Sequence, residues 1–283
     1  MRGIKNISTI GSGHSVGIVR ILSGWSNPGG STVSFINLTN LLNEAGINTI
    51  FYGPHDWHLD KCKGANTQKL DISDGEDVLI AHFVPLKDER TPLKNVIFSS
   101  HETNLFPLKD YNLIAVDKVH FVSEKQREWH GLDHPSVVIP NIVSVGKRRG
   151  NHKRNAVGVI GSVDSHKQTA LAIEAALESE PKSTKVLIFG AVTNEEYYKE
   201  HVKPLLENKR VRFAGKYDNK DVMYNMIDAA YHSSKNETYG YIKHECSMHG
   251  IPFTDLFNSS AHSEYWEPGR ILEAWKKLLN YQS

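Results

Sequence analysis

The chain has 283 residues, 39% of them hydrophobic and 23% charged, with a formal net charge of +1. That length accommodates two compact domains of a globular protein, and no run nears the ~20 apolar residues of a bilayer span. The two cysteines, Cys62 and Cys246, give no disulfide framework. With an N-terminus too polar for a signal-peptide core, they lead to the expectation of a cytoplasmic protein.

In chain order, Gly11, Gly13 and Gly17 have a dinucleotide-like spacing. Gly17 runs into the strand-like Ile18-Val19-Arg20-Ile21-Leu22, where that fingerprint requires a helix, so no cofactor is assigned. A glycine-rich loop over 24–30 leads to a predicted helix over 31–45, with Phe35, Leu38 and Leu42 on one side and a stop at Gly46. A strand is predicted over 47–52. Segments 77–83 and 95–100 are short apolar runs bounded by polar residues, as buried parallel strands are. The second ends on His101, at the carboxyl end of a strand, where ligands gather in open α/β sheets. His82 holds the same kind of position on the first. A strand over 119–123, a helix over 124–130 capped by Ser123, and the run Val137-Val138-Ile139-Pro140-Asn141 complete this half.

Residues 146–155 hold Lys147, Arg148, Arg149, Lys153 and Arg154 without an acid, whereas both flanks are slightly acidic. A second alternation follows: strand 156–160, loop 161–167, helix 169–177, strand 185–189, helix 194–206, strand 211–214, helix 221–227 and strand 229–232. This is the pattern of a parallel sheet with right-handed crossovers. Glu237 and Glu245 then stand eight positions apart, around a helix predicted over 240–248. Eight residues of helix rise ~12 Å, which would set the two carboxylates at two depths of one groove, with the free N–H groups of the first turn between them. Such N–H groups suit an anion, so the layout fits a ligand with hydroxyls at both ends and a phosphate in the middle, as in a nucleotide-sugar. The competing reading is a solvated helix face. Residues 253–264 read as irregular, and 269–280 as a last helix with Ile271, Leu272, Trp275, Leu278 and Leu279 apolar.

These segments, in this order, resemble the family-four glycosyltransferases. Glu237 and Glu245 resemble the family's E-x7-E pair, Gly29 and Gly30 its opening loop, and VHFVSEKQREWHG with VVIPNIV its exit from the first domain. The 161–167 loop resembles its Gly-Arg-x-x-x-x-Lys motif, with Lys167 kept but Ser162 standing where the family has Arg. The resemblance implies an α/β architecture of the GT-B fold: two Rossmann-like parallel-sheet domains facing across a cleft. Residues 1–145 would form the acceptor domain, 146–155 a basic linker, 156–268 the donor domain, and 269–283 a helix crossing back to the first domain. It also implies retaining transfer of a sugar from a nucleoside diphosphate sugar, a UDP-sugar, to a hydroxyl, without a cofactor or metal. Glu237, His101 and Lys167 would serve catalysis. Gly29, Gly30, Ser162, Lys167, Thr238, Tyr239, Gly240 and Glu245 would hold the donor, Glu237 at the sugar and Glu245 at the ribose. With the Arg missing, a further cation is needed, for which Lys243 is a candidate.

The basic linker bears on the acceptor. Some phage enzymes of GT-B fold glycosylate hydroxymethylated cytosine in duplex DNA, and this charge pattern is similar in outline. It leads to the expectation of a double-stranded DNA acceptor contacted by Lys147, Arg148, Arg149, Lys153 and Arg154, with the base extruded, in a host cytoplasm. A saccharide or lipid-linked acceptor is the alternative; a non-catalytic sugar-nucleotide-binding module is another. The run His55-Asp56-Trp57-His58 lacks helical i, i+4 spacing and a nearby cysteine, so no metal site is assigned to it. Neither a G-x-S-x-G elbow nor a P-loop is present, which sets aside hydrolase and kinase templates.

Overall fold

A computed structural model describes residues 17–23, 29–52, 61–66, 78–82, 95–103, 108, 113–144, 146, 150, 153–217 and 219–281. Gly11, Gly13, residues 24–28 of the glycine-rich loop, the 55–58 run and Lys147, Arg148 and Arg149 lie outside the described residues.

The first lobe is built on a parallel sheet of β1 (Val19–Ser23), β2 (Thr49–Tyr52), β3 (Ala65–Asn66), β4 (Val78–His82), β5 (Asn95–Ser99), β6 (Lys118–Phe121) and β7 (Ser136–Val138), in the order β3-β2-β1-β4-β5-β6-β7. Every residue of β4 and β5 is buried, as strands covered on both faces must be. Helix α1 (Gly30–Glu44) packs Phe35, Leu38 and Leu42 into the core on one side. Helix α2 (Glu124–His130) is capped by Ser123, whose Oγ accepts from the Gln126 N–H at 3.2 Å. The two-residue β3 is too short to leave a sequence signal.

In the second lobe, β8 (Ala156–Ile160), β9 (Lys185–Phe189), β10 (Val211–Gly215), β11 (Ala229–His232) and β12 (Phe253–Asp255) form a parallel sheet in the order β10-β9-β8-β11-β12. Helices α3 (Thr169–Ser179), α4 (Glu195–Tyr197), α5 (Lys220–Tyr224) and α6 (Tyr241–His249) connect or follow these strands. Two segments depart from the sequence reading. The helix expected over 194–206 is α only at α4, continuing as a π turn over Tyr198–Val202 and a 3-10 turn over Pro204–Glu207. Pro204 has no N–H to give and its ring crowds the preceding turn, so the ladder slips to Lys203 N–H donating to Tyr198 O at 2.8 Å. Phe253–Asp255, expected to be irregular, is a strand because it pairs along β11 in parallel register; three residues after a proline carry no periodicity of their own.

In each sheet the strand order reverses beside the first strand, at β1/β4 and at β8/β11. The carboxyl ends at such a point leave a crevice for ligands. These are the ends from which the loops to α1, to Lys167 and to Glu237 depart.

The lobes are tied in two ways. Helix α7 (Pro268–Leu278) follows the second lobe in sequence but buries Ile271, Trp275 and Leu278 among Val19, Phe35 and Ile97 of the first. Around the crevice, Val122 and Val143 pack on Tyr239, and Ser123 Oγ donates to Thr238 O at 2.8 Å. Among the described residues no helix is long and apolar enough to cross a membrane.

Candidate active site

A cavity of about 300 Å³ lies between the lobes, lined from the first by Gly30, His101 and Asn141 and from the second by Lys167, His232, Glu237, Tyr239 and Gly240. Its second-lobe wall is organised by two carboxylates. Asp164 accepts from Ser162 Oγ at 2.6 Å, from the Lys167 N–H at 2.7 Å and from Thr193 Oγ1 at 2.8 Å, which closes the loop after β8 and presents Lys167. Ser233 Oγ lies 2.8 Å from the carbonyls of both Lys167 and Gln168. Gly190 makes the approach of the neighbouring loop possible, since a Cβ there would lie 1.7 Å from Gly161 O.

Glu237 is the other carboxylate. It sits in the loop before α6 with its side chain 13% exposed, and its Oε1 accepts from Lys167 Nζ at 2.5 Å and from His232 Nε2 at 2.9 Å. Burial alone would raise its pKa. The Lys167 ammonium and His232 outweigh that and hold it at about 2, below the ordinary 4.5. The Glu237 carboxylate therefore stays ionised in the cavity, paired with the Lys167 ammonium.

On the first-lobe wall, His101 is oriented by a hydrogen-bonded chain. The Ile139 carbonyl can only accept, so His120 Nε2, at 2.8 Å from it, carries the proton. His120 Nδ1 then accepts from Ser99 Oγ at 2.8 Å, and the Ser99 oxygen accepts in turn from His101 Nε2 at 3.2 Å. This leaves His101 Nδ1 without a proton. Burial, followed by the neighbouring His82 and His120, holds the His101 pKa well below its ordinary value, so the ring is neutral. Thr238 Oγ1 donates to His101 O at 3.2 Å across the lobes.

Burial lowers the pKa of His120 and His244 to about 4 from 6.5, and of His130 and His262 by less. A histidine depressed in the fold gives stability that is full above its unfolded pKa and is lost as pH falls through the folded value. The melting temperature is accordingly expected to drop between pH 6.5 and 4, with His120 and His244 each costing on the order of 2 kcal/mol by pH 4.5. An unchanged melting temperature over that window would show that these rings are not held neutral.

The expected single groove is corrected by the structure. Glu245 lies in α6, its side chain 8% exposed, but it lines a second cavity of about 620 Å³ with Asn219, Lys220, Tyr224 and His249, sharing no described residue with the first. The reason is local: residues 233–240 are not helical, so eight positions do not amount to eight helical rises. Tyr241, the first residue of α6, lines the first cavity with its ring 3.5 Å from where a Gly30 Cβ would be, and the same ring lies 5.8 Å from Nζ of Lys220, which lines the second. Glu245 is held by Lys220 Nζ at Oε1 and by the Tyr224 hydroxyl, which donates to Oε2 at 2.8 Å.

The other singled-out residues are placed as follows. Gly29 caps α1 in an extended conformation next to Gly30. Gly240 caps α6, and a Cβ on it would lie 2.3 Å from Ser260 Cβ. Ser162 is spent on Asp164 and does not line either cavity. Lys243 lines the first cavity, and its Nζ donates to the carbonyls of Ser260, Ala261 and Ser263. Of the linker cations, Lys153 is exposed, but Arg154 Nε donates to Asn225 O at 2.7 Å and its N–H to Asp228 Oδ2 at 2.8 Å, a structural tie. His232, Asp164, Lys220 and Tyr224 were not legible as site residues; only the histidine's place at a strand end could have marked it. Among the described residues no group of three or more His, Cys, Asp or Glu side chains could hold a metal.

Two parallel-sheet lobes whose switch points open on a shared cavity define the GT-B fold. Residues 145–253 match the family described as "Glycosyl transferases group 1", which supports a glycosyltransferase domain over that segment of the chain. No curated protein matches the sequence. Among solved structures, Anabaena Alr3699/HepE in complex with UDP and glucose is similar with a TM-score of 0.64 and 15% identity, over 84% of this chain and 80% of that one. WaaG, a glycosyltransferase involved in lipopolysaccharide biosynthesis, gives 0.61 and 11% over 93% and 90%. The apo form of the lipopolysaccharide outer core galactosyltransferase WaaB gives 0.56 and 14% over the same shares. At these identities the likeness is one of fold.

Proposed function

We propose that the protein transfers a sugar from a UDP-sugar to a saccharide hydroxyl, with retention of anomeric configuration, in the cavity between the lobes. The observation that carries this reading is Glu237, held ionised between Lys167 and His232 and sharing the cavity with a neutral His101. Loss of the diphosphate builds positive charge on the sugar ring and negative charge on the leaving oxygen. The Glu237 carboxylate would grip sugar hydroxyls and lie beside the first charge; Lys167 and the N–H groups of the first turn of α6 would meet the second. His101 Nδ1 would accept from a sugar hydroxyl. The departing phosphate oxygen would take the acceptor proton, as the family resemblance implies. Glu245 would hold the ribose hydroxyls, which requires the ribose to lie toward the second cavity and the diphosphate to cross between the chambers beside Tyr241.

The saccharide acceptor is supported by relatives of the same fold that act in lipopolysaccharide biosynthesis or as a galactosyltransferase. The duplex-DNA reading rests on the basic linker alone, and Arg154 of that linker is engaged within the second lobe.

Replacing Glu245 with Ala is expected to weaken UDP binding about tenfold or more by titration calorimetry, since it removes a charged acceptor from the ribose. Unchanged affinity would remove Glu245 from the donor site.

A further inference from the structure

We infer that Lys220 is a second diphosphate-binding cation, parked on Glu245 in the free protein and released to the phosphates when the ribose takes that carboxylate. The inference rests on the donor reading above and adds a residue that reading does not contain.

The need for it comes from the charges around the cavity. A nucleoside diphosphate brings several negative charges. Lys167 is already neutralised by Glu237, Ser162 is uncharged, and the Lys243 ammonium is spent on three carbonyls. The two lysines that line the first chamber, Lys167 and Lys243, thus both have their ammonium groups already engaged when such a ligand arrives.

The means comes from the position of Lys220. It is the first residue of α5, behind the Asn219 cap, and its side chain is 46% exposed beside the second cavity. Its Nζ pairs with Oε1 of Glu245 and lies 5.8 Å from the centroid of the Tyr241 ring, which belongs to the opening turn of α6. The ammonium is therefore paired with the buried carboxylate and lies beside the ring of the residue that opens α6. A lysine is a point charge on a flexible four-carbon stem and can change partner by rotation alone.

The exchange balances. Ribose hydroxyls would donate to the Glu245 oxygen that Lys220 leaves, while the Tyr224 hydroxyl keeps the other oxygen at 2.8 Å. Lys220 would trade one anion for another, so no buried charge is left unpaired at either end. The Lys220–Glu245 pair would then act as a stand-in that keeps the carboxylate compensated until the nucleotide arrives.

The test compares UDP with uridine, which has the ribose but no phosphate, on the full chain and on Lys220→Gln and Lys220→Arg. Titration calorimetry reads UDP, and saturation-transfer NMR reads uridine. Lys220→Gln is expected to lower UDP affinity about tenfold or more, as removal of a charge-assisted bond does, and to flatten its salt dependence. Uridine affinity should hold within about twofold or rise, since its competitor for Glu245 is gone. Lys220→Arg should recover most of the UDP affinity. Equal losses for UDP and uridine would reduce Lys220 to a tether for Glu245 and overturn the inference, as would an unaltered UDP affinity in Lys220→Gln. If the unsubstituted chain bound no UDP, the donor reading itself would fail and this assignment with it. UDP binding that depends on Glu245 but not on Lys220 would sink this assignment alone.

Discussion

Glu237→Gln is expected to remove nearly all sugar transfer, by about 10³-fold in kcat/KM, while leaving the chain folded and able to bind UDP. The substitution keeps size and shape and deletes one negative charge. That charge persists down to a pH of about 2 because Lys167 and His232 both donate to the same oxygen. Groups aimed at charge that develops in the transition state are commonly worth 10²–10³ in rate when a single donor is lost, and Glu237 contributes a full charge. Its loss also leaves Lys167 without its partner, so the variant is expected to hold UDP at least as well as the parent. A variant with near-parental turnover would show that Glu237 only seats Lys167.

The largest effect on stability is expected from Trp275→Ala. Trp275 lies on α7 yet is buried in the first-lobe core, and its ring centroid is 4.8 Å from that of His120. Emptying such a site costs about 3–5 kcal/mol, or roughly 10 °C of melting temperature at this size. Because His120 fixes Ser99 and through it His101, activity should fall even at temperatures where the variant stays folded. A melting temperature within about 1 °C of the parent would mean that α7 does not belong to the first-lobe core.

The fold was largely legible because its central strands are buried on both faces, and runs such as Val157 to Val159 or Val78 to Ala81 have no other stable place. What escaped the sequence was set by pairing between distant segments. β12 is a strand only because β11 offers it an edge. The helix after Asn194 gives way ahead of Pro204, a residue whose presence is readable but whose effect, a π turn over Tyr198–Val202, leaves no periodicity of its own.

The site divides in the same way. Glu237, Lys167 and His101 stand in the loops after strands and Glu245 one turn into α6, and motif spacing can mark such positions. The partners that give them their charge states come from elsewhere: Lys167 is seventy positions from Glu237, and Lys220 twenty-five from Glu245. The single-groove expectation failed because it treated a loop as helix, and the backbone of 233–240 takes its course from Thr238 contacts with Ser123 and His101. The linker expectation met a residue, Arg154, whose role in closing the second lobe has no sequence signature.

The most direct test of the account is release of UDP from a panel of UDP-sugars by the parent chain and Glu237→Gln, side by side, with simple saccharides present. The parent is expected to free UDP from at least one sugar donor, and the variant from none. No release from any donor by the parent, or equal release by both, would contradict it.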